Sequence, residues 1–169
     1  MNEIELYHVS INKYDSGTIL EMSNNDETHY YRKKRLYGDN WVDDFLNNYK
    51  PSEAPKRQQT FYAFDSAENC IAFAKTNNLS NPYYYKVNML KPFKAPMCLT
   101  DLILKSQGDK IKQERIAKDY WNTGSIWKFN EYLSNRMEII EIIMEPHFLA
   151  IVKGKENYQH DIDLIKKLF

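Results

Sequence analysis

A histidine and a glutamate carry most of the chemical potential of this sequence, and they stand far apart in it. His8 follows the short apolar run Ile4-Glu5-Leu6-Tyr7 and precedes Val9, Ser10 and a polar loop that closes at Gly17. Glu131 opens Glu131-Tyr132-Leu133 and precedes the apolar run Met137 to Ile143, which carries Glu138 and Glu141. An imidazole can hold a donor and an acceptor on its two nitrogens. A carboxylate beside an apolar segment can stabilise developing positive charge. Taken singly, each has a plainer reading: a strand histidine is a satisfied core or edge residue, and Glu131 is a solvated acid.

Other chemistries have little footing. His8, His29, His147 and His160 show no metal-ligand spacing among themselves or with the cysteines. With five glycines in the whole chain, neither GxGxxG nor GxxxxGK[ST] occurs. Ser125 lies in a Thr-Gly-Ser turn without the GxSxG pattern of acyl hydrolases. Cys70 and Cys98 are the only cysteines and read as reduced, buried thiols. The sequence therefore calls for no metal.

The 169 residues suit a single domain over 1–169 with a sizeable core. A formal net charge of zero argues against a nucleic-acid binder held by bulk charge. Residues 1–8, MNEIELYH, lack the basic and long apolar regions of a signal peptide, and no run reaches the ~20 residues of a membrane span. The expectation is a cytoplasmic protein with no membrane partner.

The elements that must position these residues follow from periodicity and punctuation. Strands are predicted at Ile4 to Val9, Thr60 to Phe64 and Tyr83 to Leu90, with Thr18 to Leu20 as a short extension. A helix runs from Asp39 or Asn40 to about Tyr49 on a stripe of Trp41, Val42, Phe45 and Leu46. Another follows an Asp65 or Ser66 cap, with Ala67, Cys70, Ile71 and Ala74 inward. Asp109 to Trp121 is helical and ends at Thr123-Gly124-Ser125; Asn157 to Phe169 is a closing helix. Leu99 to Leu104 fits either helix or strand. Arg136 to Glu145 reads as a central strand, and alternation puts Glu138 and Glu141 on opposite faces. Phe148 to Val152 reads as a last strand, and Pro92 and Pro96 as an exit from the sheet. The basic run Tyr30 to Arg35 reads as a solvated face or, with its tyrosines, as a phosphate or nucleic-acid contact. The whole is α+β.

Several pieces, in order, resemble the ADP-ribosyltransferase fold, in the branch whose first strand carries a histidine or arginine. They are also similar to a family of uncharacterised bacterial and phage domains. The pieces are Tyr7-His8-Val9-Ser10 with Gly17; Arg57 followed by Thr60-Phe61-Tyr62-Ala63-Phe64-Asp65-Ser66; Tyr83 to Val87; Tyr120-Trp121; and Glu131-Tyr132-Leu133. They span roughly residues 4 to 144.

The resemblance implies a split mixed sheet flanked by helices, with NAD as substrate. His8 would hold a ribose, and the backbone at Val9 and Ser10 would meet the carboxamide. Arg57 would pair with the pyrophosphate. Phe61 or Tyr62 would wall the nicotinamide, and Glu131 would stabilise the oxocarbenium-like state, with Glu138 and Glu141 as alternatives. His8 and Glu131 would then be two walls of one nucleotide cleft. Val9 stands where many members have glycine, which narrows the backbone approach. The implied activity is ADP-ribosyl transfer to a protein or nucleic acid, or NAD hydrolysis, in a toxin or phage–host conflict setting with an antitoxin or inhibitor as partner. The alternative is a non-catalytic module on the same fold that binds a nucleotide or a partner.

Overall fold

A computed structural model of the chain describes residues 3–23, 26–122, 126–143 and 148–169. The strands are β1 (Glu3–Ser10), β2 (Ile19–Glu21), β3 (Phe61–Phe64), β4 (Tyr83–Leu90), β5 (Phe93–Pro96), β6 (Asn130–Ser134) and β7 (Arg136–Ile143). The helices are α1 (His29–Tyr37), α2 (Trp41–Asn47), α3 (Ala67–Thr76), α4 (Cys98–Lys105), α5 (Lys110–Trp121) and α6 (Phe148–Leu168), with a 3-10 turn at Arg57–Gln59. The expected Thr123-Gly124-Ser125 turn, the end of the predicted strand at Glu145, and His147 lie outside the described residues.

The strands form one seven-stranded sheet in the order β2-β7-β4-β1-β3-β6-β5. Every pairing is antiparallel, so the mixed sheet implied by the resemblance is corrected. The split, by contrast, is visible in the register. β1 pairs with β4 from Glu3↔Leu90 to Ser10↔Tyr83, whereas β1 and β3 meet at Tyr7↔Phe64 alone among the described residues. Two half-sheets, β2-β7-β4-β1 and β3-β6-β5, therefore join at one point.

Local chemistry sets the elements. Thr28 caps α1 by accepting from Tyr31 N, and Gly38 ends it in the left-handed region at φ 75°. Ser66, not Asp65, caps α3. Asp109 caps α5 through Lys112 N. Leu99 and Ile103, one helical turn apart, are buried on α4, which settles the ambiguous segment as helix. β5 keeps Pro96 because it is an edge strand, where a missing N–H costs no ladder bond. Among the described residues no helix is long and apolar enough to cross a membrane.

The expected last strand at Phe148 to Val152 is corrected: it forms the first turns of the 21-residue helix α6. Gly154 lets that helix press against α3. A Cβ added there would sit 2.2 Å from the Glu68 carbonyl oxygen and 2.7 Å from Ala72 Cβ. On the same helix, Asp161 is fully buried and accepts from Lys128 N and Phe129 N, both at 2.9 Å, fixing the chain as it enters β6. Gly154→Ala is expected to destabilise the protein by about 1–3 kcal/mol through overpacking, outweighing the ~1 kcal/mol gain in helix propensity. Urea unfolding measures this, and a rise in stability would show that α3 and α6 do not pack this closely.

Candidate functional site

β3 and β6 build the floor of the site. Phe64 lies opposite Glu131 in the register, so the two side chains share one face, and Tyr62 joins them two residues along. Helices α1, α3, α4 and α6 surround that face and leave a cavity of about 400 Å³, lined among others by Tyr30, Lys34, Arg57, Tyr62, Phe73, Asp101, Glu131, Lys155 and Tyr158. Such a volume falls within the range of small-molecule sites. Tyr30 meets Tyr62 edge to face at 5.8 Å and Phe73 at 6.4 Å.

Glu131 is 4% exposed and sits inside β6. A carboxylate so placed requires partners. Arg57, 2% exposed, donates from Nη1 to Glu131 Oε1 at 2.9 Å. The Tyr120 hydroxyl donates to the same oxygen at 2.5 Å and also accepts from Arg57 Nη1. Arg57 Nε donates to Asp43 Oδ1 at 2.6 Å, and Lys34 Nζ binds Asp43 Oδ2 at 2.9 Å. The guanidinium carbon lies 5.4 Å from the Tyr62 ring centre and 5.2 Å from that of Tyr120. Formal charges of Lys34, Asp43, Arg57 and Glu131 cancel.

The electrostatics follow from this packing. Burial works against the charged forms of Arg57 and Asp43, but their neighbours win. Arg57 is held well above its ordinary value by Tyr120, Tyr62, Glu131 and Asp43, and Asp43 is held below the carboxylate range by Arg57 and Lys34. Burial pushes the Tyr62 and Tyr120 hydroxyls well up and Tyr30 to about 12, so all stay protonated donors.

His8 is placed differently. Its Nδ1 lies 2.6 Å from the Tyr62 carbonyl oxygen. A carbonyl can only accept, so Nδ1 carries the proton and Nε2 is left as an acceptor. Burial lowers its pKa to about 4 against the upward pull of that carbonyl. Tyr7 opposes Phe64, so Tyr7 takes the Glu131 face and His8, one residue on, takes the other. His8 is not among the cavity residues. The structure thus ties His8 to Tyr62 and Tyr62 to the Arg57–Glu131 pair, but does not set His8 and Glu131 across one cavity.

The remaining expected residues divide as well. Val9 is buried in the core with Phe64, Cys70 and Ile71, and Ser10 Oγ accepts from Asn12 N. Phe61 packs with Leu6, Ala63 and Tyr132 on the far face, so Tyr62 is the aromatic wall. Arg57, expected at a pyrophosphate, lines the cavity and pairs through Nε and Nη1 with the carboxylates of Asp43 and Glu131. A register shift between Lys86 and Val87 places Glu138 opposite Asn88 and Glu141 opposite Lys86, on one face, where alternation predicted two. Neither lines the cavity, and Lys86 Nζ lies 3.6 Å from Glu141 and 3.2 Å from Glu5.

Asp43 and Tyr120 come to the site without a sequence expectation, whereas Tyr30 and Lys34 belong to the basic run read as a solvated face or a phosphate or nucleic-acid contact. Asp43 gave a signal, since it falls between Val42 and Leu46 on the buried side of α2. Cys70 and Cys98 are free and buried, and burial raises both thiols, Cys98 with help from Asp161. Among the described residues no group of His, Cys, Asp or Glu is placed to hold a metal ion. No protein-family model matches the chain, and no curated protein matches it in sequence.

Arg57→Met is expected to cost about 3–5 kcal/mol by stranding two buried carboxylates, with part recovered in the Arg57→Met/Glu131→Gln double variant. Denaturant unfolding of the set measures it, and a single-variant cost under ~1 kcal/mol would mean the pair is solvated. A second prediction concerns pH. The unfolded His8 takes a proton near 6.5 and the folded one near 4, so its share of stability is intact above 6.5 and falls as pH drops towards about 4. His8→Gln keeps a donor for the Tyr62 carbonyl and cannot titrate. Unfolding free energies from pH 7 to 4 should fall less steeply in this variant, and equal slopes would refute the assignment.

Proposed function

We propose that the cavity binds NAD and that the chain transfers its ADP-ribose to an acceptor, protein or nucleic acid, with Glu131 as the catalytic carboxylate. The observation that carries this reading is a single one: a buried, cation-backed carboxylate lines an aromatic-walled cavity in the size range of small-molecule sites. In the reaction, the bond from ribose C1′ to the nicotinamide nitrogen breaks, and its electron pair leaves with neutral nicotinamide. The resulting oxocarbenium-like carbon is attacked by the acceptor, which then gives up a proton. Both described bonds to Glu131 fall on Oε1. Oε2 is therefore the oxygen assigned to a ribose hydroxyl, where the carboxylate can stabilise the developing charge. Tyr62 and Tyr30 line the cavity and are the aromatic side chains assigned to the leaving group.

His8 has a supporting place in this reading. Through Nδ1 it fixes the carbonyl of Tyr62, and so the strand that presents the wall. With water as acceptor the same steps give NAD hydrolysis.

A second reading, a nucleotide-binding module without chemistry, is favoured by the placement of His8 outside the cavity and by the ion pair that already occupies Glu131. Incubation with NAD labelled on the adenylate side, in cell lysate, separates the two. Label transfer or free ADP-ribose is expected from the wild-type chain, with a loss of about 10²–10³-fold in Glu131→Gln. Transfer that survives Glu131→Gln removes the glutamate from its role, and NAD binding without turnover supports the module.

A further inference from the structure

Glu131 is held at one oxygen from two directions. Arg57 reaches it from the turn between α2 and β3, and Tyr120 from α5, and the two partners also bond each other. Arg57 is in turn fixed by Asp43 at its Nε and lies over the rings of Tyr62 and Tyr120. The backbone N–H of Arg57 donates to Asn47 Oδ1 at 2.9 Å, which anchors the turn to α2. A side-chain carboxylate ordinarily rotates about its last bond. Bonds to one oxygen from two rigid donors remove that freedom and leave the other oxygen in a single direction.

We infer that Arg57 and Tyr120 are a positioning pair that aims the free oxygen of Glu131 into the cavity, and that Arg57 does not touch the substrate's phosphates. This rests on the NAD reading above, which it makes more specific: the substrate is gripped by groups other than Arg57, and the pair governs the chemical step. A guanidinium that gripped pyrophosphate with a two-pronged fork would use Nη2 together with Nε or Nη1, whereas here Nε and Nη1 are bonded to Asp43, Glu131 and Tyr120, so only Nη2 is left on the cavity-lining arginine. The division also gives the buried tyrosine a reason to be tyrosine. Phenylalanine would fill the same space among Ile116, Trp121 and Leu133 but would leave the carboxylate one bond short.

Removal of the arginine altogether endangers the fold, so the informative variants are Tyr120→Phe, which deletes one hydroxyl, and Arg57→Lys, which keeps the charge beside Asp43. Calorimetry with NAD gives affinity and stoichiometry, and steady-state NAD cleavage gives kcat and KM. Dividing kcat by the binding-competent fraction removes any misfolded material. Both variants are expected to keep Kd and KM within about twofold while kcat falls by up to about 10²-fold, the signature of misplacement at the reacting centre. A kcat unmoved in Tyr120→Phe overturns the pair. A Kd for NAD raised in Arg57→Lys, with kcat unchanged, overturns it in favour of a phosphate contact. A wild-type chain that binds NAD and never cleaves it instead removes the reading on which the pair rests, and the catalytic role of the pair with it.

Discussion

The buried cation at Arg57 ties two helices to the ladder formed by β3 and β6. It joins α2 through Asp43, β6 through Glu131, α5 through Tyr120 and β3 through the ring of Tyr62. A guanidinium taken out of water is costly, and the cost is met only when carboxylates and hydroxyls converge on it with good geometry. Such a group is weak evidence for added stability. It is stronger evidence for a specified arrangement, since the helices around the cavity must stand where these bonds can form. The walls of the cavity are therefore set by a polar constraint as much as by the apolar core of Leu46, Leu99, Ile116 and Leu133 beneath it.

The split in the sheet gives the second half of the picture. Where β1 and β3 meet at one residue pair, the ladder supplies few backbone partners, and a side chain does part of that work: the His8 imidazole binds the Tyr62 carbonyl. His8 thereby acts on the cavity from behind its wall. The same strand that carries this bond presents Tyr62 to the cavity and Phe61 to the opposite core. A histidine kept neutral by burial suits that task, because a neutral ring with Nδ1–H satisfies the carbonyl without introducing a charge.

Much of this architecture could be read from residue patterns, because β1, β3 and β4 are aromatic and β-branched and α3 and α5 have clean caps. What escaped reading has physical causes. β6 places Asn130, Glu131 and Ser134 inward, so a buried strand looks like a polar connector. β5 looks like an exit from the sheet because Pro92 precedes it and Pro96 ends it, and only an edge strand tolerates the latter. The irregularity in β7 moves Glu141 to the face of Glu138, and no alternation rule signals an inserted residue. The opening of α6 is apolar enough to pass for a strand, but it belongs to a 21-residue helix that meets α3 at Gly154. Glu131 was picked out as standing clear of an apolar run; it lies within a strand, and its partners come from segments distant in sequence.

NAD chemistry in this cavity requires Glu131 to meet the nicotinamide ribose. The most direct measurement is a crystal structure of the chain with a non-cleavable NAD analogue. The expected complex has the nicotinamide ring against Tyr62 and Tyr30, a ribose hydroxyl within hydrogen-bond distance of Glu131 Oε2, and the Arg57–Glu131 and Tyr120–Glu131 bonds intact. An analogue seated elsewhere, or one whose pyrophosphate displaces Arg57 from Glu131, would contradict it.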